Sequence, residues 1–340
     1  MNRRDFLRLL ASAATVAPLL TTKASSDSLG AVLPQRRLGS GKISVTCLGL
    51  GGFHVGWTTE KLAQATIEAA LEEGVRFFDT ARAYGPHISE ERYGQFLTPK
   101  YRDKIFLMSK SEAKDAATIR QHIEGSLRRL ATDHIDLWQI HALESPSDVD
   151  ARLAAGVLTE ALKAQDEGKI RHIGFTGHAN PYAHLRMLER TSTPENTSPF
   201  LTSQFPINPV DAASTHSFIL QTLPEIKKAG LGVIAMKTLA DGRFFASKHT
   251  LERKDWETPT PIVPDVLSLA DCIHFALSLP ISTLVTGAEN PEFIREKAAL
   301  VRSFHQMPPE QHQAIVNRVA SFAEEGHVEY YKDKQIAATS

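Results

Sequence analysis

The property that most limits what this chain can fold into is a recurrence. Short apolar runs return roughly every thirty residues: Cys47 to Leu50, Arg76 to Asp79, Ile105 to Ser109, Ile135 to Ile140, His172 to Thr176, Phe200 to Gln204, Gly232 to Lys237 and Thr283 to Thr286. The segments between them carry helical period, as in Leu62, Ala65, Ile67, Ala69, Ala70 and Leu71 before Gly74, or Ile119, Ile123, Leu127 and Leu130 after Thr118. Strands that alternate with helices at this spacing imply right-handed crossovers and an all-parallel sheet. Eight such units in roughly 270 residues predict an α/β fold, a closed (β/α)8 or TIM barrel, for which about 250 residues is usual. An open doubly wound sheet would more often carry a glycine-rich dinucleotide fingerprint, and Gly49-Leu50-Gly51-Gly52-Phe53-His54 is not GxGxxG.

Gln35 to Leu38 and Ile43 to Val45 flank Gly39-Ser40-Gly41 as a β-hairpin ahead of the first run, so the domain is read as residues 35 to 326. Beyond the eighth run, Asn290-Pro291 opens a helix, Pro309 to Gly326 reads as an extra C-terminal helix outside the barrel, and the tail from Lys332 is expected to be loose. The long stretch from Leu239 to Val266, with Phe244, Phe245, Trp256 and a proline-rich end, is expected to form a lid or a wall of the active rim.

The N-terminus has a different character. Arg3-Arg4-Asp5-Phe6-Leu7 precedes an apolar, small-residue run from Leu9 to Leu20 and a serine-rich exit to Ser28. A basic start, a short apolar segment and a polar exit read as a signal peptide over residues 1 to 28, too short for a spanning helix. Its Arg-Arg-x-Phe-Leu pattern resembles the twin-arginine signal, which predicts the export machinery as a partner and a periplasmic location after folded transport. A formal net charge of -1 gives no electrostatic case for nucleic acid. Two distant cysteines and fourteen scattered histidines offer neither a disulfide framework nor metal-ligand spacing.

In a (β/α)8 barrel, chemistry belongs to the C-terminal ends of the strands and the loops beyond them. There the second run ends in Asp79 with Tyr84 in the next loop, the third runs into Lys110, and the fourth into His141. Taken singly, Asp79 reads as a turn cap, Lys110 as a snorkelling strand-end lysine and His141 as a satisfied core histidine. Together they form a set that can polarise and protonate a carbonyl. A phenol with pKa near 10 gains acidity beside an ammonium, a carboxylate holds that ammonium in place, and an imidazole orients the carbonyl oxygen.

With these residues in view, the stretch from about Gln35 to Ser303 resembles the aldo-keto reductase superfamily. Phe77-Phe78-Asp79-Thr80-Ala81 with Tyr84-Gly85, Ser109-Lys110 and Asp133 to His141 match its Asp, Tyr, Lys, His tetrad, and the hairpin looks like the plug of its barrel floor. The resemblance implies reversible hydride transfer between a nicotinamide cofactor and a small-molecule carbonyl substrate, with Tyr84 as general acid, in a monomer or weak oligomer. A cofactor-binding or regulatory module on the same barrel is the alternative. Implied cofactor contacts are Gly52 and Phe53 after the first strand, Thr176 and His178 after the fifth, Gln204, Met236 and Lys237. The usual Ser-Asn pair is here Thr176-Gly177, with His178 a candidate substitute, and Met236 stands where an aromatic ring often stacks on nicotinamide. The family grips the 2'-phosphate of NADPH with cations after strand eight, positions that fall on Gly287 and Phe293 here, with Glu289 close by. Arg295 and Lys297 are then the candidate grips, and the expectation is NADPH with NADH accepted.

Overall fold

The computed structural model of the chain describes residues 25–193, 198–249, 254–258 and 260–332. Eight parallel strands close into a barrel in chain order: β1 Leu48–Gly51, β2 Phe77–Asp79, β3 Phe106–Ser111, β4 Ile135–Ile140, β5 Ile170–Thr176, β6 Thr202–Pro206, β7 Gly232–Met236 and β8 Thr283–Gly287. β8 pairs with β1 through Leu284↔Leu48 to Gly287↔Gly51, so no open edge remains. The predicted runs and the observed strands differ by a few residues at their ends, as apolar pattern alone leaves open. Strand faces are buried on both sides, which is why they read as continuous apolar runs instead of alternating ones.

The hairpin plugs the floor. Gln35–Arg37 pairs with Ser44–Thr46, and Leu38 and Val45 pack against Phe77, Met108, Leu137, Ile234 and Val285 inside the barrel. Gly39 permits this seat: its φ is +72°, and a Cβ there would lie 2.9 Å from the carbonyl oxygen of Gly230. Residues 1–24 of the expected signal peptide lie outside the described residues. Its last residues, however, belong to a second hairpin, Ser25–Asp27 with Gly30–Val32, whose Asp27 pairs with Arg76 at 2.8 Å. Folded structure therefore begins before residue 35, because Arg76 at the foot of β2 needs a carboxylate that local pattern does not announce.

Helices cover the outside. Thr59 caps Glu60–Glu72, Asp115 caps Ala116–Arg129, and Ser268 with Asp271 forms a capping box on Leu269–Leu277. The extra helix Pro309–Glu325 packs on the short helix Pro209–Ala213, and its His312 stacks on Phe275 at 3.8 Å. The long loop is anchored at its base, where Ile262 and Val263 both donate to the carbonyl of the buried Phe244, and it carries a small hairpin, Ser247–His249 with Lys254–Glu257. Pro259 of its proline-rich end lies outside the described residues.

Residues 328–332 fold back over the rim, so Lys332, the first residue of the stretch expected to be loose, is anchored. Lys332 pairs with Asp211 at 2.6 Å and with Glu329, while Asn208 donates to Glu329 at 3.0 Å and to the Tyr331 hydroxyl at 3.2 Å. Two buried polar side chains after β6, Asn208 and Asp211, gain partners from the tail. Residues 333–340 lie outside the described residues.

Candidate active site

Asp79 closes β2, Lys110 lies within β3 and His141 follows β4, so adjacent strands deliver all three to one corner of the rim. The Lys110 ammonium donates to Asp79 and, at 2.9 Å, to the carbonyl of Thr80. Both partners are buried, Lys110 at 1% and Asp79 at 2% exposure. Burial pushes the carboxyl up and the ammonium down in pKa, while their mutual attraction opposes both shifts. The second acceptor at Thr80 favours the ionised pair.

Tyr84 stands over this pair, with Lys110 Nζ 4.9 Å from its ring centroid. Phe53 meets its ring edge-on at 5.5 Å and His141 at 6.2 Å. Here the structure corrects the expected acid strength. Burial, followed by the charge of Asp79, holds the phenol well above its ordinary pKa. Tyr84 is thus a firmly protonated donor.

His141 is fixed through its backbone: its N–H donates to Ser111, and Arg152, itself 1% exposed, donates to the carbonyls of His141 and Ala142 at 2.7 and 2.9 Å. Asp148 holds Arg152 in turn. Beneath the rim, Glu90 accepts from Ser109 at 2.6 Å and pairs with Arg129. Sequence reasoning did not find Arg152 or Glu90, since a charged residue on a helix carries no local sign of a distant buried partner.

The expected cofactor residues divide. Phe53, Thr176, His178, Met236 and Lys237 all lie on the rim; His178 meets Tyr331 of the tail edge-on at 5.7 Å, and Lys237 lies 4.7 Å over that ring while pairing with Asp241. Burial, reinforced by Lys237, lowers the His178 pKa to about 3, so its imidazole is neutral. Gln204 lies deeper, accepting from Gln139 at 2.7 Å and bonding Asp79. Gly52 is committed to packing: it donates to Asp79 at 2.7 Å, and a Cβ there would meet Ser89 Oγ at 2.5 Å. Gly287 leaves room for His54, which pairs with Glu289 at 3.2 Å. Lys297 donates to the Gly287 carbonyl at 2.6 Å, so it reaches the end of β8. Arg295 does not: it pairs with Glu72 at 3.1 Å and Glu73 at 3.8 Å on the neighbouring helix, and those carboxylates satisfy the charge that would have met a phosphate.

The model of the aldo/keto reductase family matches residues 47–274. An uncharacterized oxidoreductase of Bacillus subtilis, YrpG, is 31% identical over 222 residues, 59% of this chain and 64% of that protein. L-galactose dehydrogenase of Arabidopsis thaliana is 29% identical over 227 residues, 61% of this chain and 66% of the relative. The chain thus spans about two thirds or less of these relatives' lengths. Among solved structures, the aldo-keto reductase AKR11C1 of Bacillus halodurans in its holo form has a TM-score of 0.65 at 22% identity, covering 84% of this chain and 95% of its own. The glycerol dehydrogenase AKR11B4 of Gluconobacter oxydans gives 0.65 at 22%, over 89% and 99%. At that identity the likeness is one of fold.

Proposed function

The chain belongs to the aldo/keto reductase family, and from that premise we propose that it is an NAD(P)H-dependent carbonyl reductase with Tyr84 as the general acid. The observation that carries the reading is the convergence of Asp79, Lys110, Tyr84 and His141 on one corner of the barrel mouth. A bound nicotinamide supplies the hydride. The rim fits such a group in its chemistry: Phe53 and Met236 offer apolar faces to a planar ring, and Thr176 and His178 offer polar edges.

The residues then divide the work. Tyr84 holds a proton at Oη and releases it to the carbonyl oxygen as charge develops there. Lys110, at the ring face, stabilises the negative charge left on the phenol, and Asp79 keeps that ammonium charged and aimed. His141 orients the carbonyl oxygen. Cofactor choice is weakly enforced on this reading: Lys297 is the cation near β8, Arg295 is engaged elsewhere, and Glu289 opposes a phosphate, so NADPH leads NADH by a small margin. The test is steady-state oxidation of NADPH and NADH with a panel of aldehydes, quinones and sugar ketones. Carbonyl-dependent oxidation supports the reading; tight cofactor binding without turnover of any of them would favour a regulatory module.

We further propose that residues 1 to 28 direct folded export to the periplasm, on the strength of Arg3-Arg4-Asp5-Phe6-Leu7. Fusing this segment to a folded reporter tests it. Cytoplasmic retention, or export indifferent to replacing both arginines with lysine, would refute it.

A further inference from the structure

We propose that Glu112 is a positioning residue for His141: its carboxylate lies against one ring nitrogen, holds the imidazole beside Tyr84 and makes it a proton carrier between that phenol and solvent. The inference rests on the reductase reading above for its catalytic meaning, but its geometry stands on its own. β3 and β4 are paired up to Ser111↔Ile140, and the His141 N–H donates to the Ser111 carbonyl. The residues that immediately follow, Glu112 and His141, are therefore set side by side, with Glu112 Oε1 2.9 Å from His141 Nδ1.

The carboxylate is well suited to this. Partial burial would raise its pKa, but contact with His141 outweighs that and holds it at about 2, so Glu112 is ionised throughout the neutral range. It is 36% exposed while His141 is 14% exposed, so the pair bridges bulk water and the mouth. Other groups act on the imidazole as well. Burial, the dominant influence, and Lys110 of β3 disfavour its cation; Asp79 of β2 favours it along with Glu112; Tyr84 faces it edge-on, and His178 beyond β5 is neutral. Glu112 is the charge in direct contact with the ring nitrogen.

The proton balance gives Glu112 its task. In each reduction the carbonyl carbon gains hydride from the nicotinamide and the oxygen gains the Tyr84 proton, leaving a phenolate that must be reprotonated before the next turnover. His141 as imidazolium gives its Nε2 proton to Tyr84 Oη and keeps its Nδ1 proton against the Glu112 carboxylate; once the alcohol has left, solvent entering the mouth returns a proton at Nε2, and Glu112 stabilises the cation so restored. Alcohol oxidation runs the same path backwards.

The test is Glu112→Gln, which keeps size and an acceptor oxygen while removing the charge. Heteronuclear NMR titration of the His141 ring should show its pKa falling by about one unit or more, the usual effect of losing an adjacent opposite charge. In parallel, the high-pH limb of kcat for carbonyl reduction should move down by the same amount, with cofactor affinity by fluorescence quenching unchanged and Glu112→Asp restoring part of the shift. An unmoved His141 titration, or a kcat profile that overlays that of the parent, would overturn the proposal. If the parent protein reduces no carbonyl, the reductase reading fails while the titration still decides the Glu112–His141 coupling.

Discussion

Replacing Lys110 with Met separates what the buried pair does for the fold from what it does for chemistry. Met matches the aliphatic stem of lysine, so the packing loss is small and the effect is electrostatic. Asp79, 2% exposed, would be left without its cation. Removing one partner of a buried pair typically costs about 3–5 kcal/mol, against a total stability of about 5–15 kcal/mol. The cost has a sign in pH. Burial already pushes the Asp79 carboxyl above its usual 3.8, and without Lys110 nothing comparable opposes that push. A carboxyl whose folded pKa is raised contributes its stability below the unfolded pKa and loses it as pH rises toward the folded one, at about 1.4 kcal/mol per unit. Urea denaturation followed by circular dichroism at several pH values should therefore show a deficit of about 3–5 kcal/mol at neutrality that shrinks as pH falls toward the unfolded carboxyl range. Asp79→Asn combined with Lys110→Met should recover most of the stability and none of the turnover. A deficit independent of pH, or a double variant no more stable than the single one, would refute the reasoning.

Tyr84→Phe should lower kcat by a factor on the order of a hundred or more while the cofactor dissociation constant stays within about twofold, measured by steady-state kinetics and fluorescence quenching. Dissociation constants for NADPH and NADH should lie within about tenfold of each other, a difference of about 1.4 kcal/mol, and calorimetric titration showing a far larger NADPH preference would assign Lys297 the phosphate. Buried His184 and His312, lowered by desolvation to about 3 and about 4, stay neutral in the fold while the unfolded chain takes up protons below about 6.5. Stability should thus fall by about 2–3 kcal/mol for each of them as pH drops toward about 4.5, and the slope in a denaturation series should flatten in His312→Gln.

The barrel and the tetrad were legible in the sequence for a shared reason: both are written in local runs. A buried parallel strand is a stretch of consecutive apolar residues, and Asp79, Lys110 and His141 each sit at or just beyond the end of one. What escaped is what depends on distant pairing. Arg152 on its helix looks like any solvated arginine, yet it binds the His141 and Ala142 carbonyls. Gln204 fits a cofactor contact by resemblance, but only the closed barrel brings it to Gln139 and Asp79. Arg295 has the right spacing for a phosphate, and acidic partners more than two hundred residues earlier in the chain draw it elsewhere. The Tyr84 pKa went the opposite way because burial of the phenol, the largest influence on it, depends on the packed rim and is not written in the local sequence.

The folded-back tail bears on the order in which this molecule can be assembled. The first hairpins seal the barrel floor, while the rim after β6 receives Glu329 and Lys332 from 121 residues further along the chain. Contacts so far apart in sequence carry a loop-closure cost before they return any stability, so they form late. On a ribosome that delivers the chain from its N-terminus, floor and strands can take shape in turn, but the rim stays unfinished until nearly the last described residue has emerged. A nascent chain stalled short of Val328 would thus present a barrel with Asn208 and Asp211 still waiting for their partners. Completion of the mouth is in this sense a report that synthesis has passed Lys332.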